Sequence, residues 1–254
     1  MVLWKKDLGK ELRNWNKMRT LSITFLLIGI AFCYLPIALP GQQNIIDSLQ
    51  NVIKNSTAAD TSKVITLIDL AWELKNIGEY EKTRRYCNQA ASFAEKIGYK
   101  KGKATSLNVM GVSYMDQGNY GQALKLILAA LTIREEIGDK KGTSACYNNI
   151  GIIYEEQGNY IKSLENYFTS LKIREGLGDK KGMADSYNNM GTLYELQGNY
   201  NEALKNYSMA LEIEKIISGA SASIDTTNII TFPNADIRIF VSRTSFFLPK
   251  LLPH

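Results

Sequence analysis

Histidine is the scarcest functional residue in this sequence. Its single copy, His254, is the last residue, so the body of the chain holds no Ser-His or Cys-His pair and no histidine metal ligand. The phosphate-binding loop G-x-x-x-x-G-K-[ST], a G-x-G-x-x-G motif after a strand and a Cys-x-x-Cys pair are also absent. Carboxylates are common, but no pattern marks two of them as a catalytic pair. The sequence therefore predicts a non-enzymatic protein with no cofactor and no metal site.

Cysteine is rare as well. Of the three copies, Cys33 lies in an apolar segment near the N-terminus, and only Cys87 and Cys146 follow it. Two isolated cysteines in the body give no indication of a disulfide framework. A lipid-attachment site at Cys33 is disfavoured because Phe32 precedes it, where a small residue is expected.

A strong excess of charge is missing from most of the chain. The net charge is +5, but residues 1–20 contain six basic and two acidic residues and so carry four of those five charges. The remainder is nearly neutral and lacks the electrostatic footprint of a nucleic-acid-binding protein. The sequence therefore predicts no nucleic-acid partner.

The longest uncharged stretch follows the basic segment directly. Residues 21–39, LSITFLLIGIAFCYLPIAL, contain no charged residue, and a basic segment before an apolar one is typical of an export signal. As a helix rising about 1.5 Å per residue, the stretch comes close to the thickness of a bilayer's hydrocarbon core. A signal peptide cleaved near 38–41, which Pro36 favours, and an uncleaved membrane anchor both remain open. Either way, we expect the rest of the chain to be extracytoplasmic (periplasmic) or attached to the cytoplasmic membrane, with the repeats outside.

One sequence unit occurs four times at a period of forty residues, which is typical of a repeat protein. Its copies are NNIGIIYEEQGNY at 148–160, NNMGTLYELQGNY at 188–200, NVMGVSYMDQGNY at 108–120 and a fainter IDLAWELKNIGEY at 68–80. In the second unit, apolar residues three and four apart predict a first helix near 103–117. A second helix is predicted near 121–137. We expect the glycines that follow the first helices to end them with a positive φ; these are Gly118, Gly158 and Gly198.

Other recurring positions predict how the two helices of a unit pack. Glycine inside a helix costs about 1 kcal/mol relative to alanine, yet it occupies the same mid-helix place three times. We therefore expect close contact with small residues of the second helix. The glycines are Gly111, Gly151 and Gly191, with Ala71 in the first unit, and the facing residues are Ala123, Ser163 and Ala203. Cys87 is in register with Ile127, Tyr167 and Tyr207, which predicts a core position.

These residues resemble a known family. The pattern G-x-x-Y…G-x-Y…A-x-x-x-[FYI]-x-x-A resembles the tetratricopeptide repeat (TPR) and is carried here by Gly151, Tyr154, Gly158, Tyr160, Ser163, Tyr167 and Ser170. The resemblance implies an all-α fold, a right-handed α-solenoid of stacked helix-turn-helix repeats. The unit has forty residues instead of 34 and lacks the proline that ends the second helix. In its length the unit is similar to the long, forty-residue type of tetratricopeptide repeat. It also resembles the extracytoplasmic repeat region of bacterial envelope sensors.

The chain divides by pattern into four parts. We expect residues 1–41 to form the signal or anchor helix and 42–62 an N-terminal capping helix with a linker. The four repeats then occupy 63–217, as 63–102, 103–142, 143–182 and 183–217. The period stops there, and 218–254 is expected to be an irregular tail with short β-like runs such as 237–241. A packed tail, a disordered tail and a reading frame that has drifted from its parent gene remain open.

The resemblance also implies where a partner binds. A solenoid of this type presents a concave groove lined by its first helices. Asparagine side chains recur there and can pair with the backbone of an extended peptide; they are Asn108, Asn148, Asn149, Asn188 and Asn189. Alternatively, the same amides bond to the neighbouring repeat and maintain the stack. One turn further on, Glu155 and Glu195 either set a charge preference or simply belong to a solvated helix face.

Two functions are compatible with these observations. The first is a non-enzymatic scaffold, exported or membrane-anchored through 21–39, that binds a protein or an extended peptide segment in its groove. The alternative is the sensory input region, or a truncated fragment, of a bacterial signal-transduction protein such as a histidine kinase or a cyclase.

Overall fold

The structure is a computed structural model that describes residues 40–55, 60–218, 229–231 and 238–240. Within these ranges the chain forms a helical stack. Helix α1 (Pro40–Asn55) precedes four pairs of helices. The first helices are α2 (Thr61–Asn76), α4 (Lys100–Asp116), α6 (Lys140–Glu156) and α8 (Lys180–Leu196). The second helices are α3 (Tyr80–Lys96), α5 (Tyr120–Glu136), α7 (Tyr160–Leu177) and α9 (Tyr200–Ser218).

A glycine with positive φ ends each first helix, as the sequence predicts. At Gly118 φ is 73°. The turn satisfies the last carbonyl groups of the helix, because Asn119 N donates to Tyr114 O at 2.9 Å and Gly118 N donates to Met115 O at 2.8 Å. Gly158 and Gly198 have φ values of 71° and 72°. The prediction for all three glycines is confirmed, and each turn folds the second helix back against the first.

First helices α4, α6 and α8 begin three residues earlier than the apolar pattern predicts. In α6 the carboxylate of Asp139 accepts a hydrogen bond from Gly142 N at 3.2 Å, and in α8 Asp179 accepts from Gly182 N at 3.1 Å. An aspartate that caps the first turn stabilises the helix from that point on. The two lysines and the glycine at 140–142 and 180–182 therefore form the first helical turn of α6 and α8.

The mid-helix glycines lie where the two helices of a unit are in closest contact. A Cβ atom on Gly151 would lie 2.5 Å from Cε1 of Tyr167, and one on Gly191 would lie 2.6 Å from Cε1 of Tyr207. On Gly111 it would meet the side chain of Ile127 at 2.6 Å. Real Cβ atoms do not approach so closely, so the predicted close contact of the helices is confirmed. The nearest groups are these large side chains, however, and not the small residues Ser163 and Ala203 that the pattern indicates.

The core runs along the stack between first and second helices. Cys87 is fully buried there, which confirms its predicted core position, and Cys146 is buried as well; both are free thiols. Helix α1 packs over the first pair, where Ile46 is 2% exposed against Leu70 and Leu74. This contact covers apolar surface at the N-terminal end of the stack.

Two short strands follow the helices. Strand β1 (Ile229–Thr231) pairs antiparallel with β2 (Arg238–Phe240), with Ile230 opposite Ile239. Strand β2 lies within the β-like run at 237–241 that the sequence indicates. Residues 1–39 of the predicted signal or anchor segment (1–41) lie outside the described residues, as does most of the predicted tail, whereas residues 40 and 41 belong to α1. Among the helices that are described, none combines the length and apolar character needed to cross a membrane.

Candidate binding face

The first helices share a side on which each lies next to the first helix of the adjoining repeat; we call it the first-helix face. Its members recur every forty residues, with Trp72, Val112, Ile152 and Thr192 at one position and Ile68, Asn108, Asn148 and Asn188 one turn before. Residues three and four apart on a helix lie on the same side, so these two rows are neighbours. Along the face, α2 contacts α4, α4 contacts α6 and α6 contacts α8.

Hydrogen bonds between asparagines join adjacent first helices on this face. Asn149 Nδ2 donates to Asn108 Oδ1 at 3.1 Å, linking α6 to α4. Asn189 Nδ2 donates to Asn148 Oδ1 at 2.9 Å, linking α8 to α6. Four of the asparagines that the sequence indicates as ligand-binding therefore join adjacent repeats. Each of these four amides also has a donor or an acceptor that the two bonds leave unused.

Asn188 differs from the other asparagines. Asn108 and Asn148 use their Oδ1 atoms to accept from the next unit, but α8 is the last first helix of the described stack, so Asn188 has no such neighbour. Within the described residues, no protein group bonds to its side-chain amide, which is only half-buried. Asn188 thus presents both a donor and an acceptor at the surface.

The two predicted glutamates are held in place by tyrosines of the second helices. Tyr167 Oη donates to Glu155 Oε2 at 2.7 Å, and Tyr207 Oη donates to Glu195 Oε2 at 2.8 Å. Burial raises the pKa of Glu155, the hydrogen bond from Tyr167 opposes this rise, and the nearby Glu156 adds to it. Each glutamate therefore has a fixed position within its own repeat, at the edge of the first-helix face.

The face changes character along the stack. At its N-terminal half, Lys75 Nζ lies 3.1 Å from Asp116 Oδ2 and 4.7 Å from the centre of the Trp72 ring, so its charge is already engaged. At the other half, no ion pair involves Glu155 or Glu195 within the described part of the chain. One end is therefore aromatic and nearly neutral, and the other is acidic.

Sequence reasoning missed two buried arginines at the junctions between repeats. Arg174 is 8% exposed, and its Nη1 donates to Gly182 O at 2.6 Å and to Ser186 Oγ at 2.8 Å. Arg134, 7% exposed, places Nη1 3.3 Å from Asp139 Oδ2. The signal was present, because arginine recurs at a forty-residue interval, five residues before each capping aspartate. These arginines tie one repeat to the next and do not lie on the first-helix face.

The arrangement supports binding more than chemistry. No group of three histidine, cysteine or acidic side chains in the described ranges could hold a metal ion. The polar groups of the face are amides, carboxylates and phenols, which donate and accept hydrogen bonds, and Trp72 adds an exposed aromatic surface. Such a surface can hold an extended polypeptide through its backbone and through one or two anchor side chains.

Comparison with known proteins identifies the repeat. Residues 102–176 and 147–215 match the family model described as tetratricopeptide repeat. No curated protein matches the sequence significantly.

Solved structures share the fold at low sequence identity. BtubC (BKLC) from P. vanneervenii is 16% identical with a TM-score of 0.59, covering 80% of this chain and 82% of that one. A Rap protein complexed with competence and sporulation factor is 18% identical with a TM-score of 0.61, covering 68% and 50%. A signal transduction ATPase with a tetratricopeptide repeat sensor from Pyrococcus horikoshii is 24% identical with a TM-score of 0.57, covering 68% and 27%. These similarities establish the solenoid fold.

Proposed function

Because this chain is a tetratricopeptide repeat protein, we propose that it is a non-enzymatic scaffold that binds a protein or an extended peptide segment on its first-helix face. The observation that carries the proposal is the pair of unused groups on the Asn188 amide, set in the same row as the asparagines that join the repeats. Solenoids of this class use their extended concave surfaces for binding. The solved Rap protein complex, in which a related fold is bound to a factor, supports the same use.

We place the scaffold outside the cytoplasm, exported or attached to the membrane. The support is the sequence of 1–39, in which a basic segment precedes an uncharged apolar one. A fusion of alkaline phosphatase after Ser218 tests this, because the enzyme becomes active only beyond the cytoplasm. Activity that persists after residues 1–39 are deleted would contradict the proposal.

A sensory role is the second candidate. It is supported by the Pyrococcus horikoshii structure, whose description assigns a tetratricopeptide repeat array the part of a sensor. In this role the same face would bind a signal molecule or protein, and the output would lie in another domain or in a separate partner. Sequencing several hundred bases beyond the codon of residue 254 distinguishes the two, because a continuing frame with a membrane helix and an output domain favours the sensor.

Site-specific photo-crosslinking tests the binding face directly. Trp72 on the first-helix face and Phe168 on α7 are both exposed aromatic residues, so either can be replaced by benzoylphenylalanine with little change in shape. We expect irradiation of cells producing the Trp72 variant to give a discrete adduct, identified by mass spectrometry. The Phe168 variant is the matched control and should give none. Equal adducts from both positions, or adducts from Phe168 only, would refute binding on this face.

A further inference from the structure

The first-helix face carries an unbalanced charge at its C-terminal half. Beyond their first turns, α6 and α8 contain no lysine or arginine in 142–159 and 183–199. The same stretches contain four carboxylates, at Glu155, Glu156, Asp185 and Glu195. No salt bridge reaches Glu155, Glu156 or Glu195 within the described residues. Asp185 differs, because the positive charges of Arg174 and Lys181 oppose the rise that burial causes in its pKa.

These carboxylates are held in a setting that favours a cationic neighbour. Glu155 and Glu195 accept hydrogen bonds from Tyr167 and Tyr207, and Glu156 accepts one from Tyr120 Oη at 3.0 Å. These are bonds from neutral hydroxyls, so they fix the carboxylates without neutralising them. Partial burial disfavours the charged form, which raises the pKa of Glu155. A basic group placed beside them would offset this cost.

At its N-terminal end, on α2, the face is apolar and exposed. Trp72 is 41% exposed and Ile65 is 46% exposed there. Their exposure contrasts with the equivalent Val112 in α4, which is buried. Large aromatic residues on such a surface are the usual anchors of protein interfaces. Lys75 does not oppose a basic partner strongly, because Asp116 already balances its charge.

Resting on the proposed function, we propose that the first-helix face binds an extended polypeptide segment with a large apolar residue against Trp72 and a lysine or arginine beside Glu155 and Glu195. Adjacent packed helices lie about 10 Å apart, so Trp72 on α2 is roughly 20 Å from Glu155 on α6 and roughly 30 Å from Glu195 on α8. An extended chain covers the first distance with about six residues and the second with about nine. Asn108 on α4 lies between Trp72 and Glu155, and the amide N–H groups of Asn108 and Asn148, which the bonds between repeats leave unused, can bond to the backbone of the segment.

Selection from a random peptide library tests the proposal. The full chain, kept in a mild non-ionic detergent because 21–39 is apolar, is immobilised and used to select displayed peptides of about nine residues. We expect the selected peptides to combine a lysine or arginine with a tryptophan, phenylalanine or leucine about six positions away. The tightest peptide is then synthesised with a fluorescent label, and its Kd is measured by anisotropy.

Paired variants then separate charge from shape. Glu155→Gln with Glu195→Gln removes two charges and keeps acceptors for the tyrosine hydroxyls, and we expect Kd to rise about fivefold at low salt. The control, Glu165→Gln with Glu212→Gln, removes two exposed charges from second helices and should leave Kd unchanged. Trp72→Ala should raise Kd at least about tenfold, whereas Phe168→Ala should not. Urea unfolding of every variant confirms that it is folded.

The outcomes distinguish the two levels of the proposal. If peptides bind and Trp72→Ala weakens them, but basic residues are not enriched and the acidic variant behaves like its control, the charge inference is wrong while the binding face stands. If no peptide is selected, or if Trp72→Ala has no effect, both the inference and the proposed function fail.

Discussion

At the scale of single residues, two neighbouring asparagines with the same chemistry have different surroundings. Asn189 donates to Asn148 in the preceding repeat, whereas no group in the described structure engages the side chain of Asn188. We predict that Asn189→Ala lowers the free energy of unfolding by about 1 kcal/mol, because it leaves Asn148 Oδ1 without its partner. Asn188→Ala should change it by less than about 0.5 kcal/mol. Urea denaturation followed by circular dichroism measures both, and equal losses would show that Asn188 is also structural.

Two helical glycines should respond in opposite ways to substitution by alanine. In Gly151→Ala the new methyl group would press on the ring of Tyr167, which is buried and held by its bond to Glu155. We expect a loss of about 1–3 kcal/mol, which exceeds the gain of about 1 kcal/mol in helix propensity. Gly176 in α7 has open space around it, so Gly176→Ala should stabilise the fold by up to about 1 kcal/mol. Thermal melts compare the two, and a stabilising Gly151→Ala would mean that the helices separate at little cost.

These residues also show what can be predicted from sequence at this scale. Gly151 and Cys87 were predictable because a repeat shows the same constraint several times and the helical period assigns each to the core. The role of Asn149 was not, because an amide that bonds to a ligand and one that bonds to a neighbouring helix look alike in sequence. Arg174 was missed because a charged residue is expected at the surface unless its partners are known.

At the scale of helices, the difference between prediction and structure lies at the helix starts. The apolar stripe predicts where a helix is packed, but capping decides where it begins, and Asp179 caps α8 ahead of the stripe. The helix ends were predictable because glycine at positive φ is a local signal that does not depend on the rest of the fold. An aspartate that can cap a helix is also a local signal, and it was present at Asp139 and Asp179. The lysines and glycine that follow each aspartate, however, also resemble a turn.

The capping assignment leads to a prediction for α8. Asp179→Ala removes the acceptor for Gly182 N, and we expect a loss of about 1 kcal/mol in the free energy of unfolding. Glu79→Ala is a suitable control, because Glu79 is the residue just before α3 but makes no capping bond with its side chain. Loss of its surface ion pair with Lys82 should lower the free energy of unfolding by less than about 0.5 kcal/mol. Chemical denaturation compares the variants, and equal effects would show that the aspartate cap adds nothing.

At the scale of the whole molecule, the stack is nearly one-dimensional. Each helix pair contacts mainly the next pair, so stability is expected to be the sum of local units and their interfaces. The two ends of the described stack differ. Ile46 of α1 is buried against the first pair, whereas α9 leaves Leu204, Ile216 and Ile217 exposed. Both terminal helices pack mainly on one neighbour, α1 on α2 and α9 on α8, whereas the inner helices have neighbours on both sides.

Position in the stack predicts an order of local opening. In hydrogen-exchange mass spectrometry we expect amides of the terminal helices α1 and α9, which each pack mainly on one neighbour, to exchange first and those of α4 to α7, which have neighbours on both sides, to exchange last. Ile46→Ala removes buried apolar contacts of α1, so it should speed exchange in α2 and α3 and leave α8 and α9 unchanged. The local effect follows because an opening at one end need not spread through every interface. If instead Ile46→Ala speeds exchange equally in all helices, the repeats unfold as one cooperative unit and the binding face forms or is lost as a whole.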